Sequence, residues 1–176
     1  MKPKYLLLTM WAVMISFASA AQTEALEDFS EKQRARLDKS NAPKTEVPNT
    51  NVHIAPPADF DVQPSINGFI HKGSSTSIQV IEIHNVCCET VIKSLSKNYF
   101  KEQGFELIKS ERIRLHNGDA GKLYLTKYTA GEENYRRIFF FTGINNTVWI
   151  NINYPTIVEG LIYKPIVASL KTVSRG

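Results

Sequence analysis

The sequence predicts an α+β domain in which an antiparallel β-sheet lies between helices, an α/β/α sandwich with the element order β-β-α-β-β-β-β-α. Three observations predict this class. Short segments of alternating apolar residues recur between turn-forming residues. Two other segments carry apolar residues at helical spacing. Two of the predicted strands are apolar on both faces, and such a sheet needs a helical layer on each side.

Two strands precede the first helix. Residues 68–71 and 77–83 have the alternation of strands, and residues 73–75 form the turn between them. The segment before them, residues 56–60, begins with two prolines and predicts an irregular lead-in. The predicted sheet therefore starts with a hairpin.

Residues 87–103 predict one continuous helix. Gly104 follows at the position where a helix commonly ends in the left-handed conformation. The apolar positions recur every three or four residues and predict one buried stripe. They are Cys88, Val91, Ile92, Leu95, Tyr99 and Phe100.

The next four strands form a meander. Asn117-Gly118 is a strong hairpin signal, and shorter turns are predicted at residues 131–134 and 145–146. The third strand and part of the fourth are apolar on both faces, which requires the second helical layer. The four strands are residues 105–116, 121–128, 135–142 and 147–154.

A C-terminal helix supplies the second layer. Pro165 lies within it and is expected to begin its last helical segment or to kink it. Its predicted buried residues are Ile157, Leu161, Ile162, Ile166, Val167, Leu170 and Val173.

Residues 1–20 predict a cleaved secretory signal peptide. Lys2 and Lys4 precede an apolar run, and small residues end at Ala20, so the mature chain is expected to start at Ala21 or Gln22 in the periplasm or outside the cell. The first cysteine is Cys87, so no lipid anchor on an N-terminal cysteine is expected, nor an integral membrane span after cleavage.

The charge of the mature chain is too close to neutral to suggest nucleic-acid binding. The formal charge of +4 falls to +2 after cleavage, because residues 1–20 hold two lysines and no acid.

The rest of the chain divides into two parts. Residues 21–50 predict a charged N-terminal helix followed by a proline-containing linker. The domain boundary is placed near Asn51, so residues 51–176 form the α/β/α domain.

The element order and its turns resemble the PsbP-like fold, which is shared by photosystem II extrinsic proteins, Mog-type Ran-binding proteins and bacterial periplasmic DcrB-like proteins. The likeness spans roughly residues 52–174. Where bacterial relatives often carry proline-rich residues after a Glu-Ile pair, this chain has residues 84–88, so no role of that loop is transferred. The segments that carry the likeness are Pro57-Ala58-Asp59-Phe60, residues 68–70, 78–83, Gly104-Phe105, the turn from Gly118 to Gly121, and Tyr154-Pro155.

The resemblance implies a non-enzymatic binding or assembly module, and it supplies no catalytic residue and no cofactor. The leading hypothesis is therefore a soluble secreted or periplasmic accessory module whose partner is a protein of the cell envelope. The candidate partner surface is the first hairpin, the 84–88 loop or the N-terminal helix, and two cationic positions on a strand are a further candidate. The candidate residues are His71, His84, Arg112 and Arg114.

The alternative hypothesis is a thiol-redox or metal-binding protein that uses Cys87, Cys88 and His84. Adjacent cysteines in an oxidising compartment allow a vicinal disulfide, an intermolecular disulfide through Cys87, or a reduced pair with Cys88 in the core. His84 could add a soft metal ligand, with His71 approaching across the first hairpin. Single strand histidines are more often structural, so no metal site is assigned.

A third hypothesis is a hydrolase built from loop carboxylates. Carboxylates in loops are usually only solvated, and no nucleophile motif is present in the sequence. The candidates are Asp59, Asp61, Asp119, Glu132 and Glu133.

The positions of two arginines and four aromatic residues in the predicted strands can also be inferred. Arg136 and Arg137 are expected on opposite faces of their strand, because side chains alternate along a strand. Four large aromatic residues are expected in the core, although they could also line a groove. They are Tyr124, Tyr128, Tyr135 and Trp149.

Overall fold

The computed structural model describes Lys32, Arg36 and residues 43–176, and the predicted signal peptide lies outside these residues. Within these described residues, ten strands form two antiparallel sheets. The strands are β1 (Thr45–Glu46), β2 (Val52–Ile54), β3 (Asp61–Gln63), β4 (Gly68–His71), β5 (Thr76–Ile83), β6 (Glu106–Arg114), β7 (Ala120–Ala130), β8 (Glu133–Thr142), β9 (Thr147–Pro155) and β10 (Ser174–Arg175).

The main sheet has seven strands in the order β3-β4-β5-β9-β8-β7-β6, and the small sheet has the order β1-β2-β10. The helices are α1 (Cys88–Ser94), α2 (Lys97–Glu102) and α3 (Glu159–Lys171). The predicted α+β class and its antiparallel sheet between helices are confirmed. Within the described part of the chain, no helix is long and apolar enough to cross a membrane.

Each face of the main sheet has its own core. On the face covered by α3 (the α3 face), Ile138, Phe140 and Ile150 pack with Ile162 and Ile166 in the larger cluster. On the opposite face (the α1–α2 face), the smaller cluster is aromatic and includes Cys88, Phe100, Tyr124, Phe139 and Phe141. Strand alternation accounts for both layers, because neighbouring residues of β8 enter different cores.

The predicted helix over residues 87–103 is wrong as a single element. Leu95 leaves the helical conformation at φ −92° and ψ 87°, so the chain forms α1 and α2 separately. Ser96 then caps α2 by accepting a hydrogen bond from the Tyr99 backbone N–H at 3.1 Å. The new helix direction leaves Tyr99 41% exposed, outside the stripe that one continuous helix would bury.

The C-terminal helix also differs in detail from the prediction. It begins at Glu159, and Pro165 lies inside it and is buried, so the proline does not begin a helical segment. Ile157 precedes α3 in a short 3-10 turn, Thr156–Val158, and is 93% exposed, although the sequence predicted it to be buried. A residue outside the helix does not follow the helical spacing that the prediction assumed.

The small sheet was not predicted. It uses residues assigned to the linker: β1 pairs with β2, and the neighbouring Val47 is fully buried in the larger core. Strands of two or three residues are too short to show alternation, and the same reason explains why β3 was missed. The domain boundary near Asn51 stays a prediction.

Candidate binding site around Arg137

The four residues of the predicted partner surface do not lie together. His71 is 5% exposed, its ring stacks on Phe60, and its Nδ1 accepts a hydrogen bond from the Ser74 N–H at 3.1 Å. His84 is exposed beyond the far end of β5, whereas His71 is paired with Thr76 at its start. The two histidines therefore do not approach each other across the first hairpin, as the metal hypothesis would require.

The two predicted arginines lie on β6, at the opposite edge of the sheet from β4. Arg112 forms an ion pair with Glu89 of α1, with 2.9 Å between Nη1 and Oε1, and thereby ties β6 to that helix. Arg114 is exposed. An exposed ion pair of this kind contributes little to the free energy of unfolding. Because Glu89 already neutralises Arg112, that charge is not free to bind a partner.

Both cysteines are free thiols in the structure. Cys87 precedes the first turn of α1, and Cys88 is 7% exposed within the smaller core. Burial, followed by the nearby Cys87 and Glu89, raises the pKa of the Cys88 thiol. A raised pKa lowers the thiolate fraction, whereas a redox or nucleophilic cysteine needs the opposite shift.

The described residues form neither the metal site nor the carboxylate catalytic site that the other two hypotheses require. Within residues 43–176, together with Lys32 and Arg36, no three His, Cys, Asp or Glu side chains are grouped to hold a metal ion. The five loop acids are all exposed and do not converge, since those in the β6–β7 and β7–β8 turns lie at opposite ends of the sheet. They are Asp59, Asp61, Asp119, Glu132 and Glu133.

Arg137 is the most unusual charged residue of the described fold. It lies near the middle of β8, on the α1–α2 face, and is only partly buried. The centre of its guanidinium lies 4.9 Å from the Phe105 ring centroid, 5.2 Å from that of Tyr128 and 5.8 Å from that of Phe139. Three aromatic rings therefore confine the position of this cation.

Asn153 of β9 fixes the guanidinium from the side. The Arg137 Nε–H donates to the Asn153 Oδ1 at 2.5 Å, and the Tyr128 hydroxyl donates to the same oxygen at 3.3 Å. Because a guanidinium only donates, the atom that faces it must be the amide oxygen. This contact sets the orientation of the Asn153 side chain, and its amide nitrogen points to the other side.

Arg137 has no carboxylate partner among the described residues. Arg136, its neighbour on β8, shows the contrast: it lies on the α3 face and pairs with Glu159, with 2.9 Å between Nη2 and Oε2. The prediction that the two arginines occupy opposite faces is confirmed. A partly buried charge without a counter-ion is costly, and its retention is typical of a site that meets an external anion.

Neutral polar residues surround Arg137 on the same face. The strand registers place Ser77 of β5 next to Asn153, and Gln79 next to Asn151. Asn151 and Asn153 in turn lie beside Phe139 and Arg137 of β8. All of these except Phe139 are partly exposed. In this layer α1 packs on β8 and β9, and α2 packs against β6. A ligand at Arg137 would thus meet amides and a hydroxyl.

Two open depressions flank the segment after α2. One, of about 730 Å³, is lined by Gly104, Glu106 and Tyr128 among others. The second, of about 350 Å³, is lined by Phe105 together with Lys97 and Lys101 of α2. Tyr128 of the first depression and Phe105 of the second also contact Arg137, so both depressions adjoin the Arg137 site.

The charge around these depressions is positive. Lys127 pairs with Glu106 at 3.0 Å and Arg136 pairs with Glu159, so both of those cations are neutralised. Lys97 and Lys101 have no ion pair within the part of the chain that the structure describes. Together with Arg137 they provide an electropositive approach to the site.

Sequence reasoning missed this site although its parts were visible. Alternation places Arg137, Tyr135 and Phe139 on one face of β8. Tyr128 faces Tyr135 only because β7 and β8 pair in that register, and their rings stack at 5.5 Å. Asn153 reaches Arg137 through the β8–β9 register. These registers depend on the exact length of each turn. The predicted turn at residues 131–134 is longer than the two residues that separate β7 from β8, so the register could not be read from it.

Comparisons with known proteins establish the fold alone. No protein-family model matches the chain, and no curated protein is similar to it. The structure is similar to that of LpqN, which is involved in cell envelope biogenesis of Mycobacterium tuberculosis. The two are 10% identical with a TM-score of 0.57, over 78% of this chain and 93% of LpqN.

Two further solved structures are similar. A protein from Bacteroides thetaiotaomicron VPI-5482 is 13% identical with a TM-score of 0.51, over 77% of this chain and 48% of that one. Cyanobacterial PsbP (CyanoP) from Synechocystis sp. PCC 6803 is 12% identical with a TM-score of 0.49, over 72% and 87% respectively. The similarities to LpqN and to the Bacteroides protein agree with the α+β fold that the sequence predicted.

Proposed function

We propose that this protein is a secreted or periplasmic binding module without catalytic activity, which assists another component of the cell envelope. The observation that carries the proposal is the Arg137 guanidinium, which three rings and Asn153 hold in place while no carboxylate of the described fold neutralises it. A preorganised, partly exposed cation is suited to bind a ligand. Among the described residues, no nucleophile and base are aligned beside it.

Two further observations support an envelope role. The predicted signal peptide would export the chain, and the similar LpqN is itself involved in cell envelope biogenesis. The thiol-redox and metal alternative has less support, because the Cys88 thiol is buried with a raised pKa and the described residues provide no group of three metal ligands.

The proposal is tested in the source organism after deletion of the gene. We expect the deletion strain to become more sensitive to detergent, because an envelope accessory protein has been lost. The wild-type gene should restore resistance, whereas Arg137→Gln should not. Arg112→Gln is the matched control, since Arg112 lies on the same sheet face and is already paired with Glu89. An unchanged envelope in the deletion strain would contradict the proposed function.

Export is tested separately by fractionation and N-terminal sequencing of the full-length product. We expect the protein in the periplasmic or secreted fraction, with Ala21 or Gln22 as its first residue. A product that stays in the cytoplasm and keeps Met1 would contradict the predicted localisation.

A further inference from the structure

We infer that the Arg137 site binds a carboxylate, carried by a ligand that also bears neutral hydroxyl groups. The inference rests on the proposed binding function and names the class of ligand for that site. It follows from an inventory of the hydrogen-bonding groups that the fold leaves unused around one fixed guanidinium.

The unused groups of Arg137 and Asn153 are donors. Arg137 uses Nε to bind Asn153, and within the described structure both of its terminal nitrogens lack a hydrogen-bond partner. Asn153 uses its oxygen twice, for Arg137 and Tyr128, and its amide nitrogen has no partner in residues 43–176. The ligand group that fits these donors must therefore accept hydrogen bonds and carry negative charge.

The geometry favours a carboxylate over a phosphate. The rings of Phe105, Tyr128 and Phe139 confine the guanidinium, whose Nε is held by Asn153. Because a guanidinium is itself planar, a planar carboxylate can accept from both of its terminal nitrogens. A phosphate dianion presents more oxygens and more charge. It is usually met by several cations or by backbone N–H groups at a helix N-terminus or nest, whereas this site is built from one arginine and an amide on β-strands.

The neighbouring residues indicate what the rest of the ligand is like. Ser77 and Gln79 are neutral, partly exposed and can exchange hydrogen bonds with hydroxyl groups, whereas the neighbouring Asn151 Oδ1 is buried without a partner in residues 43–176. Tyr128 and the stacked Tyr135 offer an aromatic surface beside them. Lys97 and Lys101 attract the negative charge from a distance. A sugar acid combines these properties, so D-glucuronate is the probe of choice.

The test is a titration of the mature protein followed by NMR, observing the Arg137 Nε–H and the Asn153 side-chain amide. D-glucuronate is compared with D-glucose, which has the same ring and no carboxylate, and with inorganic phosphate. A single carboxylate site in water is expected to bind with a dissociation constant on the order of 1 mM. We expect glucuronate to shift both signals, and glucose and phosphate to bind at least about tenfold more weakly.

Two variants test the geometry. Arg137→Lys keeps the charge and removes the planar fork, so we expect about a tenfold loss of glucuronate affinity. Asn153→Asp places a carboxylate of the protein against Arg137 and should abolish binding without lowering the melting temperature. Arg112→Lys is the control and should bind as the wild type does. The melting temperature of each variant shows whether it is folded.

The results separate the ligand class from the function. Equal binding of glucuronate and glucose, or phosphate binding tighter than glucuronate, would overturn the carboxylate assignment and leave the binding module in place. Unchanged glucuronate affinity in a folded Asn153→Asp variant would also overturn it. If none of the three probes shifts the two signals, the carboxylate inference is wrong. The proposed function is then decided by the deletion strain: it is supported if Arg137→Gln fails to restore detergent resistance and contradicted if Arg137→Gln restores it.

Discussion

Tyr154 is a single residue at which this fold tolerates a buried polar group without a hydrogen-bond partner in the described fold. It is fully buried on the α3 face, and its hydroxyl has no hydrogen-bond partner in the described part of the chain. Burial, followed by the charges of Glu159 and Tyr163, raises the pKa of the phenol well above its ordinary value. The phenol therefore stays neutral, and the cost to the fold is the lost hydration of its hydroxyl.

Removal of that hydroxyl should not destabilise the protein. We expect Tyr154→Phe to leave the free energy of unfolding unchanged or to raise it by up to about 1 kcal/mol, because an unsatisfied group is replaced by an apolar one of the same shape. Urea denaturation of both proteins measures the difference. As a control, Tyr163→Phe removes a hydroxyl that donates to Glu111 at 3.2 Å and should lower stability slightly. A loss above about 1 kcal/mol for Tyr154→Phe would mean that the hydroxyl is hydrogen-bonded.

Among the elements, the break between α1 and α2 has the clearest physical cause. The apolar spacing of residues 88–100 fits one helix, but Ser96 is a good N-cap residue and a poor residue for a helix interior. Two short helices can follow the twisted sheet where one straight helix would diverge from it. The result is that Phe100 is fully buried and packs on Tyr124 and Phe139.

The cap can be tested by substitution. We expect Ser96→Ala to lower the free energy of unfolding by about 1 kcal/mol, because the Tyr99 N–H loses its side-chain acceptor. Ser94→Ala is the matched control, since Ser94 is an exposed serine near the end of α1 whose hydroxyl bonds only the Val91 carbonyl. Its effect should stay within about 0.5 kcal/mol. Equal effects of the two substitutions would show that the cap does not stabilise α2.

At the scale of the whole molecule, the two sheets are joined through Glu82. Its side chain is 8% exposed at the end of β5 and accepts from Arg175 of β10 at 2.7 Å and from the Asn51 backbone N–H at 2.8 Å. The C-terminal Gly176 N–H also donates to the Asn51 carbonyl at 2.9 Å. The last residues of the chain therefore fasten the small sheet to the main one.

Loss of Arg175 should weaken this junction. We expect Arg175→Ala to lower the free energy of unfolding by about 1–3 kcal/mol, because the nearly buried Glu82 carboxylate loses its charged partner. Arg112→Ala breaks an exposed ion pair and should cost no more than about 1 kcal/mol. Thermal and urea unfolding of both variants measure the difference. Indistinguishable stabilities would show that the junction adds nothing beyond a surface pair.

The sequence by itself determined the class of the fold and most of the central elements. Hydrophobic alternation and turn residues depend only on neighbours along the chain, so local patterns alone are enough to locate β4 to β9 and α3. The opposite faces of Arg136 and Arg137 follow from the same local rule. Cys88 was likewise expected in the core as one of three alternatives, because it begins the apolar stripe of the helix.

The tertiary structure decided which of these residues meet. Strand order separates His71 from His84 and scatters the loop acids, whereas strand register brings Arg137 together with Asn153 and Tyr128. It also decided which charges are neutralised, since Arg136 reaches Glu159 and Arg137 reaches no acid of the described fold. Ion pairing and burial depend on residues distant in the chain, and local periodicity carries no information about them.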